Sequence, residues 1–376
     1  MKKMITSAAA TLFAAGSAHA GALDRTGQPI DVLFETGRYA EFSFGYVSPE
    51  IEGELVNPIF GVPGTESGDI GVDNFNFGAA YKADINDTWS YAIIIDQPFK
   101  SEVDYPTSPG YFGSDASAEF DSVAITTLLQ YNMASGFSVY GGLRFQETEA
   151  EAEIPFAGNY SVEADADWGI GYVAGVAYER PEIALRVSLT YSSEIEHEND
   201  VTENITVPTG GGPVQIEQES SSDFETPQSL NLAFQTGIAA DTLLFGSVRW
   251  VDWSDFDLSP EIYSSPAAVG QPLLSYEDDV TTYTVGLGRK LTEQWSIAGS
   301  VSYEENTGNL FTNLGPNDGL TTLGLAAIYT MDNMKITTGV RYAWIGDTTT
   351  AVRGVEASEF NDNNAIAFGV KVGYYF

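Results

Sequence analysis

The sequence predicts an all-β protein, a fourteen-stranded antiparallel transmembrane β-barrel, and three observations carry that expectation. Large apolar residues recur with period two against small or polar ones along segment after segment. The connections between these segments alternate strictly between tight turns and long loops. The composition is turn-rich and aromatic-rich, with 38 Gly, 20 Tyr and 21 Phe in 376 residues, and at 43% hydrophobic it is no disordered acidic tail.

Charge and rare residues exclude several functions at the outset. Asp and Glu number 53 against 16 Lys and Arg, a net charge of -37, so a nucleic-acid polyanion is repelled rather than bound. Cysteine is absent, which removes disulfides, thiolate metal sites and a cysteine nucleophile together. Histidine occurs twice, at His19 and His197, too sparsely for an enzyme built on a histidine base. No catalytic residue, metal site or cofactor is expected.

The chain opens with Lys2 and Lys3, an apolar run from Met4 to Ala15, and Ala18-His19-Ala20, the pattern of a cleaved export signal over residues 1–20. A run of about a dozen apolar residues is too short to span a bilayer, which needs roughly 20. Residues 21–38 form a short segment before the first strand, and residues 39–376 carry the barrel with its long loops.

The strands are expected near 39–47, 75–83, 88–97, 117–132, 137–148, 164–179, 183–194, 222–237, 242–254, 280–290, 295–304, 319–330, 334–344 and 363–376. The last is the clearest. Ile366, Phe368, Val370, Val372, Tyr374 and Phe376 share one parity, while Ala367, Gly369, Lys371, Gly373 and Tyr375 hold the other. Ile183 to Tyr191 and Ile336 to Trp344 repeat the scheme. Ser122 to Leu143 is uncharged for 22 residues and mimics a spanning helix, but Asn132-Met133-Ala134-Ser135-Gly136 is a turn in its middle. A soluble sandwich also alternates. Here the polar parity is mostly Gly, Ala, Ser and Thr, and aromatics gather near strand ends, as in barrels with interfacial girdles. Closure removes the sheet edges and satisfies every backbone group inside hydrocarbon. Short connections after even-numbered strands and long ones after odd-numbered strands match periplasmic turns and outer loops. The location expected is the outer membrane of a Gram-negative bacterium.

Two loop stretches are strongly acidic: seven carboxylates and no cation from Glu147 to Asp167, and nine and none from Glu194 to Glu225. They read either as divalent-cation bridges to lipopolysaccharide or as a solvated acidic surface. On the inward parity Lys82, Arg144, Arg186, Arg341 and Lys371 stand out. They either pair with inward carboxylates such as Glu41 and Asp252 or meet the carboxylate of an amphipathic ligand. Val56 to Val62, Tyr111-Phe112, Ile154-Pro155-Phe156, Ile262-Tyr263 and Leu310-Phe311 place large apolar side chains in loops, as a capture surface or as a cap over the mouth. Phe376, the terminal outward aromatic, resembles the signal read by the barrel-assembly machinery.

Five short motifs in order resemble the FadL-type outer-membrane transporters of long-chain fatty acids and other hydrophobic compounds: Asp167-Trp168-Gly169-Ile170-Gly171-Tyr172, Leu189-Thr190-Tyr191-Ser192-Ser193-Glu194, Trp250-Val251-Asp252-Trp253-Ser254-Asp255-Phe256, Glu277-Asp278-Asp279-Val280 and Leu314-Gly315-Pro316-Asn317-Asp318-Gly319. The resemblance implies a monomeric barrel closed at its periplasmic end by a small N-terminal hatch. Capture at the outer loops, transfer to a lumen site and release through the barrel wall would follow. The hatch would be residues 21–38, with Asp24, Arg25, Gln28 and Phe34. It is shorter than the family's usual hatch and lacks an Asn-Pro-Ala motif. Arg144, Arg186, Arg341, Phe112, Phe156 and Trp250 are the candidate ligand-binding residues. Pro98, which has no N–H for a ladder bond, marks either a lateral exit or an ordinary strand end. The expected cargo is a long-chain fatty acid; a cation-preferring porin or a surface-structural barrel is the alternative.

Overall fold

The computed structural model describes residues 23–376 except residue 267. The expected export signal and the first two residues of the expected hatch lie outside the described residues. Fourteen strands, labelled β1–β14 in chain order, form the wall: Tyr39–Glu50, Asn74–Asp84, Trp89–Asp96, Ser117–Asn132, Phe137–Ile154, Tyr160–Arg180, Leu185–Ser192, Ser229–Ala239, Thr242–Val251, Val280–Lys290, Trp295–Glu304, Leu320–Met331, Met334–Ile345 and Asn364–Tyr375. Each pairs antiparallel with the next. The ring closes where β1 meets β14, from Tyr39 opposite Tyr375 to Glu50 opposite Asn364. Every strand of the ring has a neighbour on both sides, so the ladders satisfy the backbone without water except along the upper part of β2, where pairing with β3 covers only Ala79–Asp84.

The parity expected from the sequence is the one that faces lipid. Phe42, Phe44, Phe77, Leu287, Leu325, Phe368 and Val370 are exposed on the outside, while Lys82, Arg144, Arg186, Arg341 and Lys371 are buried inside. Aromatic pairs mark two belts. Trp89–Tyr131, Phe137–Tyr178 and Trp295–Tyr329 stand at the periplasmic ends with ring centroids 4.9, 4.6 and 4.8 Å apart. Tyr46–Phe75 and Tyr342–Trp344 stand at the outer ends, 5.1 and 4.9 Å apart. Such rings suit the interface because one part of each is apolar and the other wet. The short turns are locally determined: Asn86 Oδ1 accepts from the backbone N–H groups of Thr88 and Trp89 at 2.9 and 3.0 Å.

The structure differs from the sequence reading above the outer belt. The acidic stretch 147–167 is ladder rather than loop. β5 runs on to Ile154, a 3-10 turn occupies Pro155–Ala157, and β6 has 21 residues. At about 3.4 Å per residue that strand is roughly 70 Å long, and even tilted it rises about 50 Å or more, well past a hydrocarbon core of about 30 Å. The expected eighth strand, 222–237, is divided at Pro227, which lacks a ladder donor. Residues up to Thr226 belong to an external hairpin, Ile195–Thr209 against Gly212–Thr226, and β8 starts at Ser229. That hairpin continues the wall upward, setting Val201–Asn204 beside Ser161–Ala164 of β6.

On the outward face of this extension the carboxylates stand in register. Glu102 pairs with Glu119, Glu119 with Glu151, and Glu151 with Glu163. Like charges opposite each other are unfavourable, but these face water and Lys100 reaches Glu119 at 2.9 Å and Asp121 at 2.8 Å. Among the described residues no three His, Asp or Glu are placed to hold a metal ion.

Candidate functional site

The segment 23–38 threads the lumen and is fixed to strands on several sides of it. Asp24 accepts from Arg249 Nε on β9 at 2.6 Å, with both side chains buried. Thr26 Oγ1 donates to Asp96 on β3 at 2.7 Å, and Gln28 accepts from Ser229 on β8 at 3.0 Å. Asp31 lies 3.4 Å from Arg186 on β7, whose guanidinium also covers the Phe34 ring at 4.4 Å. Glu35 accepts from Lys335 on β13 at 2.7 Å. Asp31–Phe34 form a 3-10 turn whose Val32 and Leu33 are buried, so apolar contacts reinforce these polar ones.

The wall is broken beside this segment. The β2–β3 ladder covers only Ala79–Asp84 against Ser90–Ile95, and β3 stops at Asp96. Residues 97–99 turn inward and pair with the N-terminal segment: Arg25 N–H donates to Pro98 O at 2.8 Å, and Lys100 N–H to Leu23 O at 2.9 Å. Pairing with β4 resumes at Lys100. Ser122 Oγ satisfies the Phe99 backbone at 2.9 and 2.8 Å, and Gln97 Oε1 accepts from the Phe77 N–H at 2.9 Å. A window therefore lies between β2 and the 97–104 stretch, closed above by the Gly71–Val103 bridge. Arg25, Thr26 and Pro29 stand behind it, leaving about 30 Å³, the room of one water.

Above the segment the loops build a buried aromatic interior. Trp253, fully buried, packs against Phe99 and Phe256 at 5.5 Å each and against Tyr276 at 5.2 Å. Phe256 meets Phe120 and Phe224 at 6.1 and 5.9 Å. The same apolar cluster contains Tyr105 and Tyr111, stacked at 5.7 Å. Tyr111 touches Phe112 at 5.3 Å, and Phe112 touches both Phe60 and Phe156 at 5.0 Å at the surface. Ile59, Val62 and Phe156 are exposed there. Apolar side chains thus run from the outer surface to Phe99, next to the window.

Most of the candidate residues from the sequence come together here. Phe112 and Phe156 lie in the outer patch. Asp24, Arg25, Gln28 and Phe34 lie in the lumen segment, and Pro98 at the break in the wall. Arg144 is buried with Nε donating to Thr126 Oγ1 at 2.9 Å, and Arg341 is buried opposite Glu304. Lys371 lies 3.6 Å from Glu41, and Lys82 pairs with Asp84. Two residues fall elsewhere. Trp250 is on the outer face, its indole N–H donating to Asp279 at 3.0 Å. Asp252 accepts from Gln228 at 2.8 Å rather than from an inward cation. Phe376 is 73% exposed at the end of β14, its N–H donating to Arg38 O at 3.0 Å. Sequence reasoning missed Arg249, Phe99, Phe224 and the place of Trp253 at the centre of the aromatic interior. Arg249 shares the parity of Phe245 and Ser247, but both faces of β9 carry large apolar residues, which hid the inward side.

A closed fourteen-stranded wall with a lipid-facing exterior, a polar lumen crossed by an N-terminal segment and an apolar path from the surface defines an outer-membrane transport barrel. A match over residues 36–376 shows that the chain belongs to the outer membrane protein transport protein family (OMPP1/FadL/TodX). It is a transporter of hydrophobic compounds in the outer membrane of a Gram-negative bacterium. Among solved structures it resembles a Pseudomonas aeruginosa FadL homologue, with 15% identity, 92% of each chain covered and a TM-score of 0.74. The P. putida toluene transporter TodX shares 13% identity over 92% of each chain at a TM-score of 0.65. The Ralstonia pickettii toluene transporter TbuX shares 14% over 96% of this chain and 97% of its own, at 0.62. At these identities the shared property is the fold. No curated protein matches the chain.

Proposed function

We propose that the protein carries small hydrophobic molecules inward by passive diffusion: capture at the Phe60–Phe112–Phe156 patch, transfer through the aromatic interior, and lateral release at the window beside Pro98 once residues 23–38 shift. The observation that carries this reading is the unbroken apolar path ending where the β2–β3 ladder is interrupted. Burial of an alkyl chain at about 0.8 kcal/mol per methylene supplies the affinity without any reactive group. The segment 23–38 acts as the hatch, its pins to β3, β7, β8, β9 and β13 holding the lumen shut.

Long-chain fatty acids are the cargo expected from the resemblance, but the charges inside favour an uncharged molecule. Arg186, Arg249, Lys335 and Lys371 each already have a carboxylate partner within 3.6 Å. A cargo carboxylate must compete with those partners, whereas a neutral ring or chain leaves them in place. Uptake of a labelled fatty acid and a labelled alkylbenzene by cells producing the protein tests both statements. Faster uptake of the neutral compound, with no steady ionic current in planar bilayers, is the expected result. An ohmic current would favour a porin, and no uptake of either compound would end the transport reading.

A further inference from the structure

At the foot of the external hairpin, on the inner face of the wall, five buried polar atoms have no hydrogen-bond partner among the described residues: Gln146 Oε1, Thr148 Oγ1, Asn199 Oδ1 and both ring nitrogens of His197. Their residues are 0%, 1%, 1% and 3% exposed. A buried polar atom that nothing answers is destabilising, so a group of them in one place calls for an occupant.

These side chains are neighbours. Gln146 and Thr148 share the inner face of β5, and His197 and Asn199 that of the hairpin. Asn199 Nδ2 donates to Thr148 O at 3.0 Å and to Asp165 O at 2.7 Å. Gln146 stands opposite Gly169, where a Cβ would collide with Ile195 Cγ2 and come within 2.5 Å of Glu196 O and 3.0 Å of the His197 ring, so glycine is what lets the hairpin strand carrying His197 lie this close. The ring stacks on Phe224 at 5.4 Å, and Phe224 belongs to the aromatic interior. Asp167 lies 3.6 Å from His197 Nδ1.

The chemistry of the atoms narrows the occupant. The two donations of Asn199 fix its amide orientation, so Oδ1 must accept and requires a donor. A carboxylate presents only acceptors and meets Asp167 as well, and a hydrocarbon presents nothing. A hydroxyl both donates and accepts, matching an amide oxygen on one side and Thr148 or the imidazole on the other.

We propose that Gln146, Thr148, His197 and Asn199 form a subsite for the hydroxyl of a neutral amphiphile, a phenol or a fatty alcohol, whose apolar body lies against Phe224 in the aromatic interior. The subsite rests on the reading of that interior as the cargo path, and it adds selection for one polar group to a path otherwise sorted by apolar bulk.

Calorimetric binding of 4-hexylphenol and of hexylbenzene to the detergent-solubilised protein tests it. The phenol should bind about tenfold more tightly, as one buried hydrogen bond allows, and Thr148→Val with Gln146→Met should bring the two ligands to within about twofold while hexylbenzene binds as before. Equal affinities in the wild type, or a preference that survives in the double variant, would overturn the subsite. Should the variant fail to give a heat-modifiable barrel, the wild type decides. His197 is one of only two histidines, so in protein labelled at histidine nitrogen its imidazole signals should move with 4-hexylphenol and stay with hexylbenzene; no movement overturns the assignment. Binding of neither ligand would overturn the cargo path itself, whereas hexylbenzene binding without a phenol preference removes only the subsite.

Discussion

Replacing Arg249 by Met isolates what one buried ion pair does for the lumen segment. Arg249 Nε lies 2.6 Å from Asp24 Oδ2, and the two side chains are 7% and 6% exposed. The variant takes from the buried Asp24 carboxylate the guanidinium it touches, leaving it the Gly27 N–H at 3.0 Å and the neighbouring charge of Arg25, a loss of up to about 3 kcal/mol, or up to about two powers of ten in the docked fraction. Arg249 also donates to Asn231 at 3.0 Å within the wall, but the ring of strands does not depend on that bond. Release of the segment exposes Arg25, which is held beside Asp24 and Pro98, to trypsin. Cleavage should therefore accelerate in proportion to the open population as long as reclosing is fast. Trypsin digestion of the reconstituted protein, with sequencing of the new N-terminus, measures it. Combining Arg249→Met with Asp24→Asn removes the stranded charge and should slow cleavage again. If Arg249→Met is cut after Arg25 no faster than the wild type, or if the double variant is no slower than the single one, the pair does not hold the segment.

Four further outcomes are expected. Arg186→Glu replaces the guanidinium 3.4 Å from Asp31 with a like charge facing it and removes the cation over Phe34; uptake of charged and neutral cargo should change alike, and a loss confined to carboxylated cargo would give Arg186 to the ligand instead. Phe112→Ala with Phe156→Ala should lower apparent affinity by tenfold or more, since each ring contributes on the order of 1 kcal/mol at a half-exposed site, and unaltered half-saturation of uptake would move capture elsewhere. Phe376→Ala should reduce the yield of heat-modifiable barrel, and full yield would show that the exposed last ring is not read during assembly. Burial holds the His197 imidazole near a pKa of about 4, below its ordinary 6.5, although Asp167 pulls the other way. The undocked hairpin therefore binds the proton more readily, so protection is complete above about pH 6.5 and lost as pH falls through 4, by at most about 3 kcal/mol. Hydrogen exchange of residues 195–226 at pH 7 and pH 4.5, compared with His197→Phe, measures this; equal acid sensitivity in the variant would assign the effect to the surrounding carboxylates.

The wall was legible because lipid imposes a period of two that residues such as Ile366 to Phe376 cannot escape: a single slip puts Lys371 in hydrocarbon. The turns were legible for local reasons, as in the Asn86 cap. The interior was not, because it is assembled by residues far apart in sequence. Phe99 meets Trp253 only because residues 97–99 leave the wall, and Asp24 finds Arg249 across 225 positions. The acidic stretches misled in a different way. Charge density reads as loop, yet Glu147, Glu149, Glu151 and Glu153 alternate with buried residues just as membrane strands do, with water in place of lipid on the outside.

The rise of β5, β6 and the hairpin far above the outer belt constrains how this protein can diverge. Gaining or losing a single residue within the paired runs Ala150–Ile154 and Tyr160–Ala164, unless a bulge like the one beside Glu149 takes it up, would swap faces, driving carboxylates into the aromatic interior and turning Ala152, Ile154 and Val162 toward water. Length changes in those paired runs must come in twos or be taken up at the Pro155–Ala157 turn, as changes in the hairpin can be at the Gly210–Gly211 tip, where added atoms meet almost nothing. Among related sequences, differences in the height of this tower should therefore be counted in residue pairs.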